Sequence, residues 1–276
     1  MMNFFSTNST PINQIEEEIL LTANNINLAY GKKQILSNIN LQIVDRHRVG
    51  FKQGQIISLI GRSGIGKSQL FRILAGFNEI KSNKEKTISG SVLVNMDQKP
   101  VKLGDIGVVT QNYKLLEHRT VKKNLEFTGA NTTLIKEYCD EFDLSQHIDK
   151  FPMELSGGQR QRCAILQQVL TGNNFILLDE PFSGLDGIML KKTIDLLLKV
   201  SLLDELKTLV IISHDIENSL AISDTAFLMT KPDPNQGAII LEENKFDLVK
   251  MGLAWTDNII DNPNFRELLK LIKSKL

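Results

Sequence analysis

A chain of 276 residues, with 32 Lys and Arg against 32 Asp and Glu, has length for one large domain or two small ones and lacks the basic field that would argue for nucleic acid. Cys139 and Cys163 have no metal-site spacing and make no disulfide framework, so both read as buried thiols of a reduced compartment. The N-terminus has neither a basic n-region nor an apolar h-region, and no apolar run is long enough to cross a bilayer; the chain reads as soluble, with any membrane role supplied by a partner.

Taken in order, residues 1–15, rich in Asn, Ser and Thr, read as a flexible arm. Loose alternation from Ile19 to Tyr30 predicts a strand that Tyr30-Gly31 closes, and Ile39 to Val44 a second. Asp45 to Gln55 is charged and without period, which predicts an exposed loop. Ile56 to Ile60 is an apolar run that reads as a buried strand. Gly61-Arg62-Ser63-Gly64-Ile65-Gly66-Lys67-Ser68 follows it, and Gln69 then opens the helical pattern Leu70, Phe71, Ile73, Leu74. Strand, glycine loop and helix in that order make a phosphate cradle. Glycines let successive N–H groups point inward at phosphate oxygens, and the helix adds its positive end. Lys67 would reach the β- and γ-phosphates of ATP, and Ser68 would offer a hydroxyl to Mg²⁺.

Lys84 to Gly90 reads as a polar turn, with strands at Ser91 to Asn95 and Ile106 to Thr110. From Asn112 to Leu155 the pattern turns helical, with Thr120 and Thr132 as candidate caps. This block reads as a small helical subdomain inserted into an α/β core. Beyond it a helix is predicted from Gly157 to Thr171, a strand from Phe175 to Leu178, a helix from Gly187 to Asp204 and a strand from Thr208 to Ser213. Strands alternating with helices imply a mostly parallel sheet covered on both faces. Phe265, Leu268, Leu269, Ile272 and Leu276 have the spacing of a final helix docked on the core.

Two further stretches carry chemistry. The strand before Asp179-Glu180-Pro181 is wholly apolar, so the two acids emerge at the carboxyl edge of the sheet, beside the cradle. Asp179 fits Mg²⁺ support, and Glu180 is a candidate base or water-orienting group. Ser156-Gly157-Gly158-Gln159 opens a helix with a good N-cap. Local physics leaves it as either a capped helix or a second anion site.

Leu155-Ser156-Gly157-Gly158-Gln159 resembles the signature of ATP-binding cassette (ABC) ATPases, and that family's other motifs follow its order over about residues 18–230. The resemblance implies a P-loop NTPase (RecA-like) core, an antiparallel β part at the N-terminal side and the inserted helical subdomain. It divides the chain into an arm (1–15) and an ATPase domain (16–276), with core segments 16–111 and 156–260, subdomain 112–155 and a C-terminal helix 261–276. It further implies that Tyr30 stacks on adenine, that Gln111 touches Mg²⁺ or water, that His214 contacts the γ-phosphate, and that Asp186 communicates across a dimer. Each ATP would lie between the cradle of one cassette and Ser156–Gln159 of the other. That second cassette would be another copy or a paralogue. The implied function is ATP hydrolysis driving transport, import in the first instance, through a separate transmembrane permease. The cassette would be cytoplasmic and peripheral on the membrane's inner face. Phe151-Pro152-x-Glu154 looks more like bacterial importers than fused exporters, and Ser213 to Glu217 with the tail after it is similar to cassettes of the nitrate, sulfonate and taurine import group, which would add an extracytoplasmic solute-binding protein to the complex. The alternative is a soluble ABC ATPase acting on the ribosome or nucleic acid; the single cassette and neutral charge count against it. Gln69 departs from the family, which usually has Thr or Ser there.

Overall fold

The computed structural model describes residues 14–48, 53–77, 85–94, 97–204 and 206–276. The expected N-terminal arm lies outside these residues except for its last two, which already belong to β1 (Gln14–Tyr30). β1 turns at Gly31 into β2 (Lys33–Arg48). The hairpin is long and its register shifts five times, which is why alternation along Ile19–Tyr30 is loose. Next come the buried strand β3 (Gln55–Ile60), the helix α1 (Lys67–Leu74), β4 (Lys86–Val94), and the short strands β5 (Lys99–Pro100) and β6 (Gly107–Val109). The helical stretch holds α2 (Val121–Glu126) and α3 (Thr132–Glu141), each packed on α4 (Gly157–Leu170). Then follow β7 (Phe175–Asp179), α5 (Gly187–Ser201), β8 (Thr208–Ser213), α6 (Ile216–Ala221), β9 (Thr225–Thr230), β10 (Ile239–Asp247) and α7 (Pro263–Ser274).

The strands make two sheets. One is antiparallel, in the order β2-β1-β4-β5; the other runs β10-β9-β3-β8-β7-β6 and is parallel except for β10. Alternation along the parallel strands sorts side chains to two cores. Ile57, Leu59, Leu177, Val210 and Ile212 pack with α1 and the antiparallel sheet, while Ile56, Ile176, Leu178, Leu209 and Ile211 pack with α2 to α5. Strands buried on both faces read as nearly continuous apolar runs for this reason, with Ser58 the polar exception inside β3. At the far edge Phe265, Leu268 and Ile272 of α7 bury against Ile60, Leu220 and Leu228, as the helical spacing predicted.

Three local expectations are corrected. Asp45 and Arg46 are not in an exposed loop: they extend β2 and are buried, as are Gln53 and Gln55, while residues 49–52 lie outside the described part. Arg46 is tolerated there because its guanidinium pairs with Asp247 at 2.9 Å, a partner 201 residues away. The stretch expected as a polar turn at 84–90 is strand from Lys86 onward, with residue 84 outside the described part. The cap of α3 is Asn131, whose side chain accepts from Leu134 N–H, and not Thr132; Thr120 does cap α2.

Candidate nucleotide site

The carboxyl ends of β3, β7 and β8 are neighbours in the sheet, so whatever follows each strand converges on one edge. After β3 the chain runs through Gly61–Gly66 into α1. Gly66 sits at φ 116°, where a Cβ would come within 3.1–3.2 Å of Leu36 and Ile35. Gly64, at φ 75°, has open space in front of it. One glycine is needed for packing, the other only for its backbone angle. Arg62, Ser63 and Gly64 are exposed and line an open cleft.

Lys67 is 5% exposed. Its Nζ donates to the carbonyls of Gly61 (2.9 Å) and Arg62 (3.0 Å) and lies 3.5 Å from Glu180 Oε1. Burial pulls the ammonium below its ordinary range, and the carboxylates of Glu180 and Asp179 oppose that pull. Ser68 Oγ donates to Asp179 Oδ1 at 3.4 Å. Burial first and the Glu180 carboxylate second push Asp179 upward, against Ser68 and Lys67. The Asp179 carboxylate is thus short of positive charge. Among the described residues no group of three or more His, Cys, Asp or Glu is arranged to hold a metal unaided. One acid plus one hydroxyl is the donor set Mg²⁺ uses when phosphates and waters supply the rest, so these residues fit that ion.

Glu180 is held from several sides. Its backbone takes φ 53°, unusual for a residue with a side chain, and its N–H donates to Ile212 O at 2.7 Å. Its Oε2 accepts from Ser213 Oγ (3.2 Å), His214 N–H (3.2 Å) and His214 Nδ1 (2.7 Å). The His214 ring is half exposed, with Nε2 turned away from that bond. Gln111 reaches the same neighbourhood, donating from Nε2 to Ser183 Oγ at 3.4 Å. Tyr30, exposed at the end of β1, donates its hydroxyl to Gln69 Oε1 at 3.0 Å, with Lys86 Nζ 5.6 Å from the ring centre. The residue that departs from the resembled pattern is therefore the one that steadies the aromatic.

The structure brings together Gly61–Gln69, Asp179, Glu180, Gln111 and His214, with Tyr30 attached through Gln69. Ser156–Gln159 stands apart. Ser156 caps α4, accepting from Gln159 N–H at 3.4 Å, while Gln159 Oε1 accepts from Ser156 N–H at 2.9 Å. Among the described residues no hydrogen bond joins this cap to Gly61–Ser68. Asp186 caps α5, accepting from Ile188 and Met189 N–H at 3.0 and 2.8 Å. Sequence reasoning missed Ser183 and Ser213, ordinary serines whose part is to orient Gln111 and Glu180. It also missed Gln161, buried in α4, which donates to Pro181 O at 2.9 Å and accepts from Thr193 Oγ1 at 3.1 Å. No local signal marks any of the three.

Comparison with known proteins adds the following. The family model described as ABC transporter matches residues 44–183. An Fe(3+) ions import ATP-binding protein, FbpC, of Fusobacterium nucleatum is 34% identical over 220 residues, 72% of this chain and 53% of the relative. An aliphatic sulfonates import ATP-binding protein, SsuB 1, of Pseudomonas savastanoi is 33% identical over 207 residues, 74% of this chain and 80% of the relative. The chain spans about half the length of several of the curated relatives it matches. Among solved structures, cbiO1 from Clostridium perfringens, part of the ABC transporter complex cbiONQ, superposes with a TM-score of 0.65 at 21% identity, over 92% of this chain and all of the other. At that identity the likeness speaks for the fold.

Proposed function

The chain belongs to the ABC transporter ATP-binding family, and from that premise we propose that it is the ATP-hydrolysing subunit of an importer, working in pairs on a separate transmembrane permease. The observation that carries this is the convergence of Lys67, Ser68, Asp179, Glu180 and His214 on one sheet edge. ATP is the substrate. The N–H groups of the Gly61–Ser68 loop bind its phosphates, and Lys67 exchanges the carbonyls of Gly61 and Arg62 for β- and γ-oxygens. Tyr30, steadied by Gln69, stacks on the base. Ser68, Asp179 and Gln111 would hold Mg²⁺, which would supply positive charge to offset that of the phosphates. Glu180 orients the attacking water and takes its proton. His214, fixed by Glu180 through Nδ1, directs Nε2 at the γ-phosphate.

Ser156–Gln159 serves the nucleotide of the second copy or of a paralogous cassette, which agrees with its separation from the cradle of its own chain. Asp186, which caps α5, relays the state of one site to the other. ATP then favours the closed pair and hydrolysis releases it. The block 112–155 docks the permease, and Phe127 and Met153, about 80% exposed, are suited to an apolar contact there. No helix of the described residues is long and apolar enough to cross a membrane; the cassette works peripherally at the cytoplasmic face. The likeness to an aliphatic sulfonates import ATP-binding protein supports import; a solute-binding protein would deliver the cargo. The test is phosphate release from Mg-ATP by the purified chain and recovery of a polytopic membrane protein with it. Release with such a partner supports the reading; no phosphate release with the partner present overturns it.

A further inference from the structure

The cap that opens α4 has an outside support. His147, half-buried at the end of the turn Ser145–His147, brings Nε2 within 2.9 Å of Gln159 Nε2. The direction of this bond follows from chemistry. Ser156 N–H can only donate, so the Gln159 atom 2.9 Å from it is the oxygen. The amide nitrogen therefore faces His147 and donates, and the imidazole Nε2 must accept. That requires a neutral ring with its proton on Nδ1, which is buried with no hydrogen-bond partner among the described residues. The ring borders a polar cavity of about 410 Å³. The charged groups on it are Asp140 and Asp143 at the end of α3, Arg162 of α4 and Lys192 of α5, two of each sign.

We infer that His147 is a positioning residue for the second nucleotide cradle: as a neutral acceptor it fixes the Gln159 amide and hence the Ser156 cap, and it releases both when protonated. A protonated ring presents Nε2–H to an amide N–H₂, donor against donor. Gln159 must then swing away or flip, and a flip turns its N–H₂ onto Ser156 N–H. Either way Ser156 N–H loses its acceptor, and the reciprocal cap is left with a single bond, from Gln159 N–H to Ser156 Oγ. The inference rests on the proposed role of Ser156–Gln159 in binding the partner's ATP.

The test measures ATP-dependent pairing of the full-length chain by sedimentation from pH 8 to pH 6, in the hydrolysis-slowed Glu180→Gln background. His147→Gln keeps an acceptor that does not titrate, and His147→Phe removes it at every pH. On loss of one net hydrogen bond, pairing of the His147 protein should weaken by about three- to tenfold more per cradle than that of His147→Gln over this range. His147→Phe should pair more weakly by a similar factor already at pH 8, with nucleotide affinity of the unpaired chain unmoved. Superimposable pH profiles for His147 and His147→Gln, or a His147→Phe chain that pairs normally, overturn the inference. Ser156→Arg, which fills the cradle, reports on the underlying reading. Normal pairing by Ser156→Arg, or no pairing of the background at any pH, removes the reading and the inference together. Loss of pairing in Ser156→Arg with superimposed His147 profiles removes the inference alone.

Discussion

Replacing Glu180 with Gln separates chemistry from stability in a way the geometry lets one work out. One carboxylate oxygen faces Lys67 Nζ at 3.5 Å, and the other accepts from Ser213 Oγ, His214 N–H and His214 Nδ1. In the variant the amide oxygen stays toward Lys67, because N–H₂ against an ammonium is repulsive. The N–H₂ then faces the other three donors. Ser213 can rotate its hydroxyl to accept, and His214 can move its proton to Nε2; the backbone N–H of His214 can do neither. One bond to a charged group is lost outright, worth about 1.5–3 kcal/mol. At 3.2 Å, beside a half-exposed ring, the low end applies. Removing a desolvated charge offsets part of it, so the melting temperature should fall by no more than about 3–6 °C. Turnover should fall far more, by about 10²–10⁴-fold, or about 3–5 kcal/mol of barrier, the usual share of a positioned base. The assays are thermal melting, fluorescent-nucleotide binding and phosphate release on one preparation. Wild-type turnover refutes the role of Glu180 as base. Lost nucleotide binding refutes it differently, by showing that Glu180 acts through Lys67 and the cradle.

Tyr30→Ala should weaken ATP binding by about five- to a hundredfold, the range of one base–aromatic stack, and leave tripolyphosphate binding intact; equal losses for both ligands would mean that Tyr30 supports the loop and not the base. Arg46→Met should destabilise the fold by about 2–3 kcal/mol by removing the guanidinium from the Asp247 carboxylate, which among the described residues keeps only Lys250, measured by urea denaturation. Burial works to raise Asp247, but the Arg46 hydrogen bond, the Lys250 N–H and the charges of both cations outweigh it and hold the carboxyl below its ordinary value. Its stabilisation is therefore complete above the unfolded carboxyl range near 4 and fades as pH falls through the folded value, so the gap between wild type and Arg46→Met should narrow below about pH 4. Burial, then neighbouring Cys139, pushes the Cys163 thiol up to about 12, and burial, then Asp140, pushes Cys139 up to about 11. A thiol reagent at pH 8 should label neither in the native chain and both in guanidinium; fast native labelling would contradict the burial.

What was legible in the sequence was what short-range chemistry dictates. Gly61 to Ser68 can be read because a loop that exposes N–H groups to phosphate has few residue types to choose from. Ile56–Ile60 and Phe175–Leu178 can be read because a strand covered on both faces is nearly all apolar; the one polar residue among them, Ser58, is buried only because its hydroxyl donates to Ser219 O and bonds Ser223 Oγ. Asp45-Arg46 cannot, since the charge that makes burial of Arg46 tolerable comes from Asp247 at the other end of the chain. Lys86–Gly90 is polar by composition, but its strand is set by pairing with β1. Tyr30 and Gln69 each look ordinary or anomalous alone; their shared hydrogen bond explains both.

Gln161 joins two places that the proposed pairing assigns to different nucleotides. In that pairing the first turn of α4 would face the nucleotide held by the other copy, whereas Pro181 directly follows Asp179 and Glu180 of this copy's own site. A single buried amide, gripped by Pro181 on one side and Thr193 on the other, makes them one strut. A shift of either end would be passed through these two bonds to the other, so in the proposed pair, occupancy of one pocket should be felt at Glu180 of its neighbour.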